Sequence, residues 1–431
     1  MIRFVSTMDR ADFPSGLRFR TPVTKFLLAI VLTSATMFAS SQTARDVVIS
    51  ARARSLHDRA IVIDTHDDTT QRLISDKTYN IGVRNAAGSI DVPRMREGGL
   101  DALFFSVWMP GDVTGSDAVK RALQQIDAVR EVVRRHPSDL LLATSAAEIR
   151  RAAAAHKIGV LIGVEGGHMI DEDLGVLRSF AALGVRYMTL THSLNTTWAD
   201  SSTDTPAHNG LTAFGKDVVG ELNRLGVIVD ISHVSDKTFF DALDATTAPV
   251  IASHSSARAI ANAPRNMTDD MLRALARNGG VVMINYNAGF LSETFRTAKK
   301  PPAVVAREEA LAKECGADEA CAILGLQGIE QEAMRTGVLP AVTWEQIIDH
   351  IDHAVKIAGI DHVGLGSDFD GAIMPLGMED ASRLPRITDA LLKRSYSERD
   401  IEKVLGGNLL RVMEQVEQAA RRSTEGRRAP T

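Results

Sequence analysis

Cysteine is nearly absent from this chain of 431 residues: Cys315 and Cys321, in the stretch ECGADEAC, are the only two. Thiolate catalysis is disfavoured at both, because Glu314, Asp318 and Glu319 crowd them with negative charge that opposes ionisation of a thiol. Their spacing fits a small disulfide loop instead, which needs an oxidising compartment. Basic charge is not in excess, with 49 Lys and Arg against 54 Asp and Glu. Nor does any arginine-rich patch alternate with aromatics, which are only 5% of the residues. A nucleic-acid partner is therefore not expected. No strand-like run leads into the glycine-rich loop of a dinucleotide or phosphate site, so a Rossmann-type cofactor domain lacks its signature.

The apolar run FLLAIVLTSATMFA, Phe26 to Ala39, is too short to span a bilayer comfortably but suits the core of a secretory signal. Lys25 precedes it, and the small residues Ala39, Ser40 and Ser41 close it. Residues 1–41 are thus expected to be an export signal cleaved after Ser41, with an uncleaved membrane anchor as the competing expectation and Met8 as an alternative start. No Cys follows the run, so lipid attachment at that point is excluded. Removing the segment takes away more basic than acidic residues and leaves a mildly acidic mature chain. Residues 42–420 are expected to form one catalytic domain and 421–431 a flexible, arginine-rich tail. The protein would be periplasmic or secreted, and held at the membrane only if the segment stays uncleaved.

What is present is a core-forming composition, 45% hydrophobic and 24% charged, and one repeated theme. A short β-rich apolar run is followed by a polar loop and then by an amphipathic helical stretch. Eight such runs occur: 61–66, 101–108, 158–165, 185–192, 226–233, 248–254, 280–286 and 362–368. Strands alternating with helices pair in parallel, and eight units predict an α/β fold of the (β/α)₈ TIM-type barrel class; an open doubly wound sheet is the alternative. Gly184, Gly226 and Gly279 mark expected helix exits. Between the seventh and eighth strands, residues 289–360 make a connection far longer than a crossover needs. It is expected to be an insertion that either covers the barrel mouth or decorates the surface. Within it, His350 and His353 are three apart on a helix, a spacing that can bind metal, but with Asp349 and Asp352 adjacent they are read as a solvated face and not a metal site.

The strand ends carry the chemistry. IVIDTHDD places His66 and Asp68 two apart, hence on one side of an extended chain, where they offer a nitrogen and an oxygen to a metal such as zinc. Further strands end in Glu165, His192, His233, His254 and Asp368. In a parallel barrel these ends converge on one mouth. So many carboxylates and imidazoles together call for compensating cations, and a two-metal centre sharing a bridging carboxylate and a bridging hydroxide supplies them. The expected assignment puts His66 and Asp68 on one ion and His233 and His254 on the other, with Glu165 between. Asp368 is then placed to move the proton of the attacking water to a leaving amine. His192 is placed to donate to a developing oxyanion or to a substrate group, a structural hydrogen bond being the alternative. His168, in EGGH, is expected to be a loop contact, and the Met and Phe residues to be core.

HxD at 66–68, VEGG at 164–167, LTHS with NTTWADSS, DISH, ASHSSAR, PRNMTDDML, GLGSDFDG and GGNLLRV together resemble the membrane (renal-type) dipeptidase family, zinc peptidases of the amidohydrolase-like barrels. The resemblance runs from about Ile61 to Met413. It implies two Zn²⁺ per chain on His66, Asp68, Glu165, His233 and His254, a substrate-contacting His192, an acidic catalytic Asp368, and Arg265 as the clamp for the substrate carboxylate. It also implies small dipeptide substrates, tolerance of a D-residue at the C-terminal position, and a homodimer. Two departures stand out: the insertion after Phe290 with its cysteine pair, and Phe290 itself, where some relatives carry Tyr. Another amide or lactam hydrolase on the same two-metal barrel is the alternative function, and a nonenzymatic binding protein a more distant one.

Overall fold

The computed structural model describes residues 47–316 and 318–426. The expected export signal lies outside the described residues, and among them no helix is long and apolar enough to cross a membrane. The expected tail begins in helix, since the last helix runs Asn408–Gly426; residues 427–431 lie outside the described part.

Among the described residues, nine strands form one parallel sheet: β1 (Ile63–Asp67), β2 (Ala102–Trp108), β3 (Leu140–Leu142), β4 (Ile158–Glu165), β5 (Val185–Thr189), β6 (Ile228–Asp230), β7 (Ile251–Ala252), β8 (Val281–Ile284) and β9 (Val363–Leu365). Eight follow one another in the order β1-β2-β4-β5-β6-β7-β8-β9, and these are the eight predicted runs. The ring closes through a parallel bridge between Asp67 and Phe369, with Asp68 N–H donating to the Phe369 carbonyl at 2.8 Å and Asp368 N–H to that of His66 at 3.0 Å. The fold is the (β/α)₈ barrel that the alternation predicts. The short β3, not anticipated, pairs with Ile158–Val160 at the start of β4, while β5 takes the end of β4.

Strands β1, β2 and β4 are buried along their whole length, as expected when helices cover one face and the barrel interior the other. The inward set includes Ile63, Phe104, Leu161, Tyr187, Ile228, Ile251, Val281 and Met283, and the last helix adds Leu409, Leu410 and Met413. Helices enter through side-chain caps from Ser145, Thr212, Ser235 and Thr268, each capable of satisfying an otherwise unpaired first-turn N–H. They leave at Gly184, Gly226 and Gly279 as predicted, all in the left-handed conformation that a Cβ would strain.

The long connection after β8 carries two helices packed on each other, Pro302–Cys315 and Glu319–Arg335, before the helix Glu345–Ala358 returns to the barrel. Cys315 and Cys321 are disulfide-bonded at the junction of the pair. On the returning helix, the solvated face expected for His350 is not found. His350 is fully buried, its Nδ1 accepting from Ala257 N–H at 3.0 Å and its Nε2 facing the Leu291 carbonyl at 3.1 Å. His353 is half-buried and pairs with Asp269. The helix turns its acidic residues outward to Arg394, and the i, i+3 spacing lets His350 face the core.

Burial pushes the His350 imidazole down to about 4. The unfolded chain, with an ordinary value near 6.5, therefore takes up the proton first; stability is fully present above about pH 6.5 and is lost as the pH falls towards 4. Urea unfolding at pH 7.5 and pH 5 should show a loss about 2 kcal/mol larger in the wild type than in His350→Gln. Equal losses in the two proteins would refute the buried neutral assignment.

Candidate active site

Six of the eight ring strands deliver a polar site residue where the apolar run ends. His66, Asp68, Glu165, His254 and Asp368 are buried at the mouth, while His192 and His233 are partly exposed. Two of these positions need unusual backbone: His233 and Asp368 have φ of 67° and 65°, a conformation costing a non-glycine residue on the order of 1–3 kcal/mol and concentrated at functional sites.

Glu165 is the centre. Its Oε1 lies 2.8 Å from His233 Nε2 and 3.2 Å from His254 Nε2, and its Oε2 lies 3.4 Å from His66 Nε2. The carboxylate thus faces opposite groups with its two oxygens. Asp68 Oδ1 is 3.5 Å from His66 Nε2 on the far side, and His192 Nε2 is 3.8 Å from Glu165 Oε1. The His66 and His254 rings stack at 3.7 Å, and the Nε2 atoms of His233 and His254 are 2.9 Å apart. Among the described residues, the groups that could hold an ion are His66, Glu165 and His254; Glu165, His192 and His233; and His66, Asp68 and Asp368. All seven strand-end residues expected at the mouth are brought together. His168 lies outside these groups; its ring packs over Gly166.

The electrostatics match a site built for cations. Burial opposes ionisation of Glu165, but the His66 and His192 imidazoles and hydrogen bonds from His233 and His254 overrule it and hold the carboxyl well below its ordinary range. Burial pushes Asp68 up to about 7 and raises Asp368 as well. Burial, with Arg265 or His66 nearby, drives His233 and His254 well below the ordinary imidazole value, which keeps both rings neutral. His66 Nε2 and Asp68 Oδ1 are buried with no hydrogen-bond partner, a costly state for donor atoms unless a ligand satisfies them. The donor set of imidazole nitrogens and carboxylate oxygens suits zinc and similar ions, and the residues present fit a two-ion centre.

A supporting layer fixes the ligand rings. His66 Nδ1 meets the Tyr187 hydroxyl at 2.8 Å, and Tyr187 lies there only because β4 has glycine at 163, where a Cβ would collide with the phenol ring. His254 Nδ1 meets Ser253 Oγ at 2.8 Å, and that hydroxyl donates to Asp230 at 2.6 Å. Each arrangement leaves Nε2 pointing at the centre. Ser106 donates to Glu165 Oε2 at 3.0 Å, and Asn285 Nδ2 to Asp368 Oδ2 at 2.9 Å. None of these residues was identified from sequence. Asp230 and Ser253 had a local signal, since they stand in DISH and ASHSS beside the predicted histidines. Tyr187, Ser106 and Asn285 act on partners 59 to 121 residues away, with no local pattern to reveal them.

Arg265 is buried at the same mouth. Its hydrogen bonds go to neutral oxygens, the His254 carbonyl at 3.2 Å and Ser255 Oγ at 3.5 Å. Its Nε has no partner, and its guanidinium lies 5.5 Å from the centre of the Phe290 ring. Burial lowers it to about 10, against the pull of Glu165, Asp368 and Asp230. A buried guanidinium hydrogen-bonded only to neutral oxygens keeps capacity to pair with an anion.

Residues 50–427 match the membrane dipeptidase family (peptidase family M19). The chain is 36% identical over 372 residues to dipeptidase 3 of Mus musculus, covering 84% of this chain and 66% of that protein, just under two thirds of its length. Among solved structures, it resembles the probable dipeptidase PvdM from Pseudomonas aeruginosa, at 29% identity and a TM-score of 0.71, covering 86% of this chain and 98% of that one. It also resembles a metallo peptidase from Rhodobacter sphaeroides liganded with a phosphinate mimic of the dipeptide L-Ala-D-Ala, at 26% identity and a TM-score of 0.68, covering 83% and 99%.

Because both oxygens of Glu165 face ligand groups, Zn²⁺ should stabilise the wild-type protein after chelator treatment, by about 2.7 kcal/mol at a hundredfold excess over Kd. Glu165→Gln should lose most of that gain. A thermal melt with and without the ion measures both, and an undiminished gain in the variant would remove Glu165 from the centre.

Proposed function

The chain belongs to the membrane dipeptidase family, peptidase family M19, a family of metallo-dipeptidases, and on that premise we propose that it hydrolyses dipeptides with two Zn²⁺ per chain. The observation that carries this reading is the pairing, at one mouth, of a two-faced Glu165 with a buried Arg265 whose hydrogen bonds go to neutral oxygens. When bound, the ions would acidify a water and polarise the scissile carbonyl. His66, Asp68, Glu165, His233 and His254 would hold them.

The remaining work falls to the chain's own groups. Arg265 takes the substrate carboxylate, and the reach from it to the centre limits the substrate to one residue beyond the scissile bond. Asp368, oriented by Asn285 and raised by burial, accepts the proton of the attacking water and returns it to the leaving amine. His192, beside Glu165, donates to the oxygen that gains charge.

Tolerance of a D-residue at the C-terminal position is part of the proposal; the likeness to a structure holding a mimic of L-Ala-D-Ala supports it. Export to the periplasm or outside the cell is proposed from the pattern of residues 1–41, and the disulfide at Cys315 and Cys321 supports an oxidising destination. A homodimer is proposed from family likeness alone.

Hydrolysis of Ala-Ala-type dipeptides should disappear with chelation and return with zinc. Asp368→Asn should lower kcat by about 10²–10⁴-fold with metal content unchanged. Arg265→Ala should lower kcat/KM about a hundredfold or more, and a C-terminal amide should be equally poor for the wild type. An Arg265→Ala enzyme with unchanged KM would favour a general amidase or lactam hydrolase. Preference for L over D beyond about a thousandfold, roughly 4 kcal/mol, would sink D-tolerance.

A further inference from the structure

The helix Glu319–Arg335 buries polar residues beside its apolar Ile329, Ala333 and Met334. Gln327, Glu330 and Gln331 are 7%, 6% and 9% exposed, and their i, i+3, i+4 spacing puts them on one face. Each is matched. Glu330 pairs with Lys300 at 2.6 Å. Gln327 Nε2 donates to the Ala372 carbonyl at 2.7 Å, and Gln331 Nε2 to the Met374 carbonyl at 3.4 Å. Both carbonyls belong to the loop that follows Asp368.

That loop is gripped along its length by the long connection after β8. Between the two glutamine contacts, Ala288 N–H donates to Ile373 O at 2.8 Å; beyond them, Trp344 N–H donates to Leu376 O at 3.0 Å and Leu376 N–H to Val342 O at 2.8 Å. On its inner side the loop presses on the metal-ligand set: a Cβ at Gly371 would collide with Asp68 Oδ2 and crowd Asp368 Oδ1. Asp370 fastens the same loop to Thr69 and Ser89. The helix carrying the glutamines also packs against Thr70–Ser75, the helix directly after His66 and Asp68. A backbone carrying Asp368 in a left-handed conformation has little intrinsic reason to stay there; carbonyls bonded in series remove the alternatives.

We propose that the disulfide-closed helix pair 302–335 is a positioning element for Asp368, acting through Gln327 and Gln331 on the loop 370–374. This rests on the proposed role of Asp368 for its kinetic consequence, but not for its structural one. Gln327 touches neither substrate nor reacting atoms; it is a positioning residue. Removing its amide frees the Ala372 carbonyl and lets the loop relax away from Asp68, so proton transfer suffers while ion and substrate binding persist.

The test uses the full mature chain loaded with Zn²⁺, comparing wild type with Gln327→Leu, which keeps volume but cannot donate. The expected result is a fall in kcat of about ten- to a hundredfold, with KM within twofold, zinc content unchanged, and faster amide hydrogen exchange across residues 368–374. Gln327→Asn, too short to reach, should behave as Gln327→Leu, whereas Gln327→Lys, which can still donate, should recover part of the rate. If Gln327→Leu does not fold, Gln331→Leu, which loses the longer bond, should show the same pattern to a smaller degree. Unchanged kcat and unchanged exchange in a folded variant would overturn the proposal, and so would loss of zinc in step with activity. If the wild type cleaves no dipeptide, the proposed function fails, and exchange at 368–374 alone decides the positioning claim.

Discussion

The structure depends on one electrostatic constraint: three carboxylates, four imidazoles and a guanidinium share a mouth largely closed to water. Such groups cannot simply coexist there, because burial penalises each charge. The protein answers with mutual compensation around Glu165, whose carboxyl is held ionised by surrounding imidazoles against its own burial. Atoms that no protein group satisfies, His66 Nε2 and Asp68 Oδ1, are those that a cation would complete. Everything beneath is arranged to aim these atoms: a tyrosine under His66, a serine and aspartate under His254, an asparagine under Asp368.

Much of this was legible in the sequence because a parallel barrel turns a local feature into a spatial one. A His, Asp or Glu at the end of six of the eight apolar runs is a one-dimensional pattern, and closure of the ring converts it into a cluster. The eight strands and all seven strand-end residues could therefore be read from the chain. Arg265 came from family likeness, since it stands on a loop and not at a strand end. What could not be read involves partners with no periodic relation: Tyr187 reaches His66 through a gap left by Gly163, and that gap is invisible until strands are side by side. His350 was misread because charges next to it in sequence, Asp349 and Asp352, leave on the opposite face of the helix. The strand β3 went unseen because three leucines carry too little pattern.

The connection after β8 shows the same limit from the other direction. Its buried face mixes Ile329, Ala333 and Met334 with Gln327, Glu330 and Gln331, so hydrophobic periodicity alone does not say where Glu319–Arg335 docks. The information lies in the carbonyls that its glutamines reach, and those belong to a loop some 45 residues further on. An inserted segment held by amide-to-carbonyl bonds as well as by apolar area tolerates little drift: a donor displaced by an ångström loses most of its bond.

The seam of the barrel has a consequence for how the protein is made. The last joint in the ring, between β9 and β1, consists of Asp68 N–H on the Phe369 carbonyl and Asp368 N–H on the His66 carbonyl. The two residues that fasten the circle are neighbours, or members, of the proposed ligand and catalytic sets. Closing the cylinder also brings Asp368 beside His66 and Asp68, joining the first strand to the last across some 300 residues of chain. Asp68 and Asp368 therefore meet only when the last strand reaches the first, and a finished chain cannot open its seam without parting them.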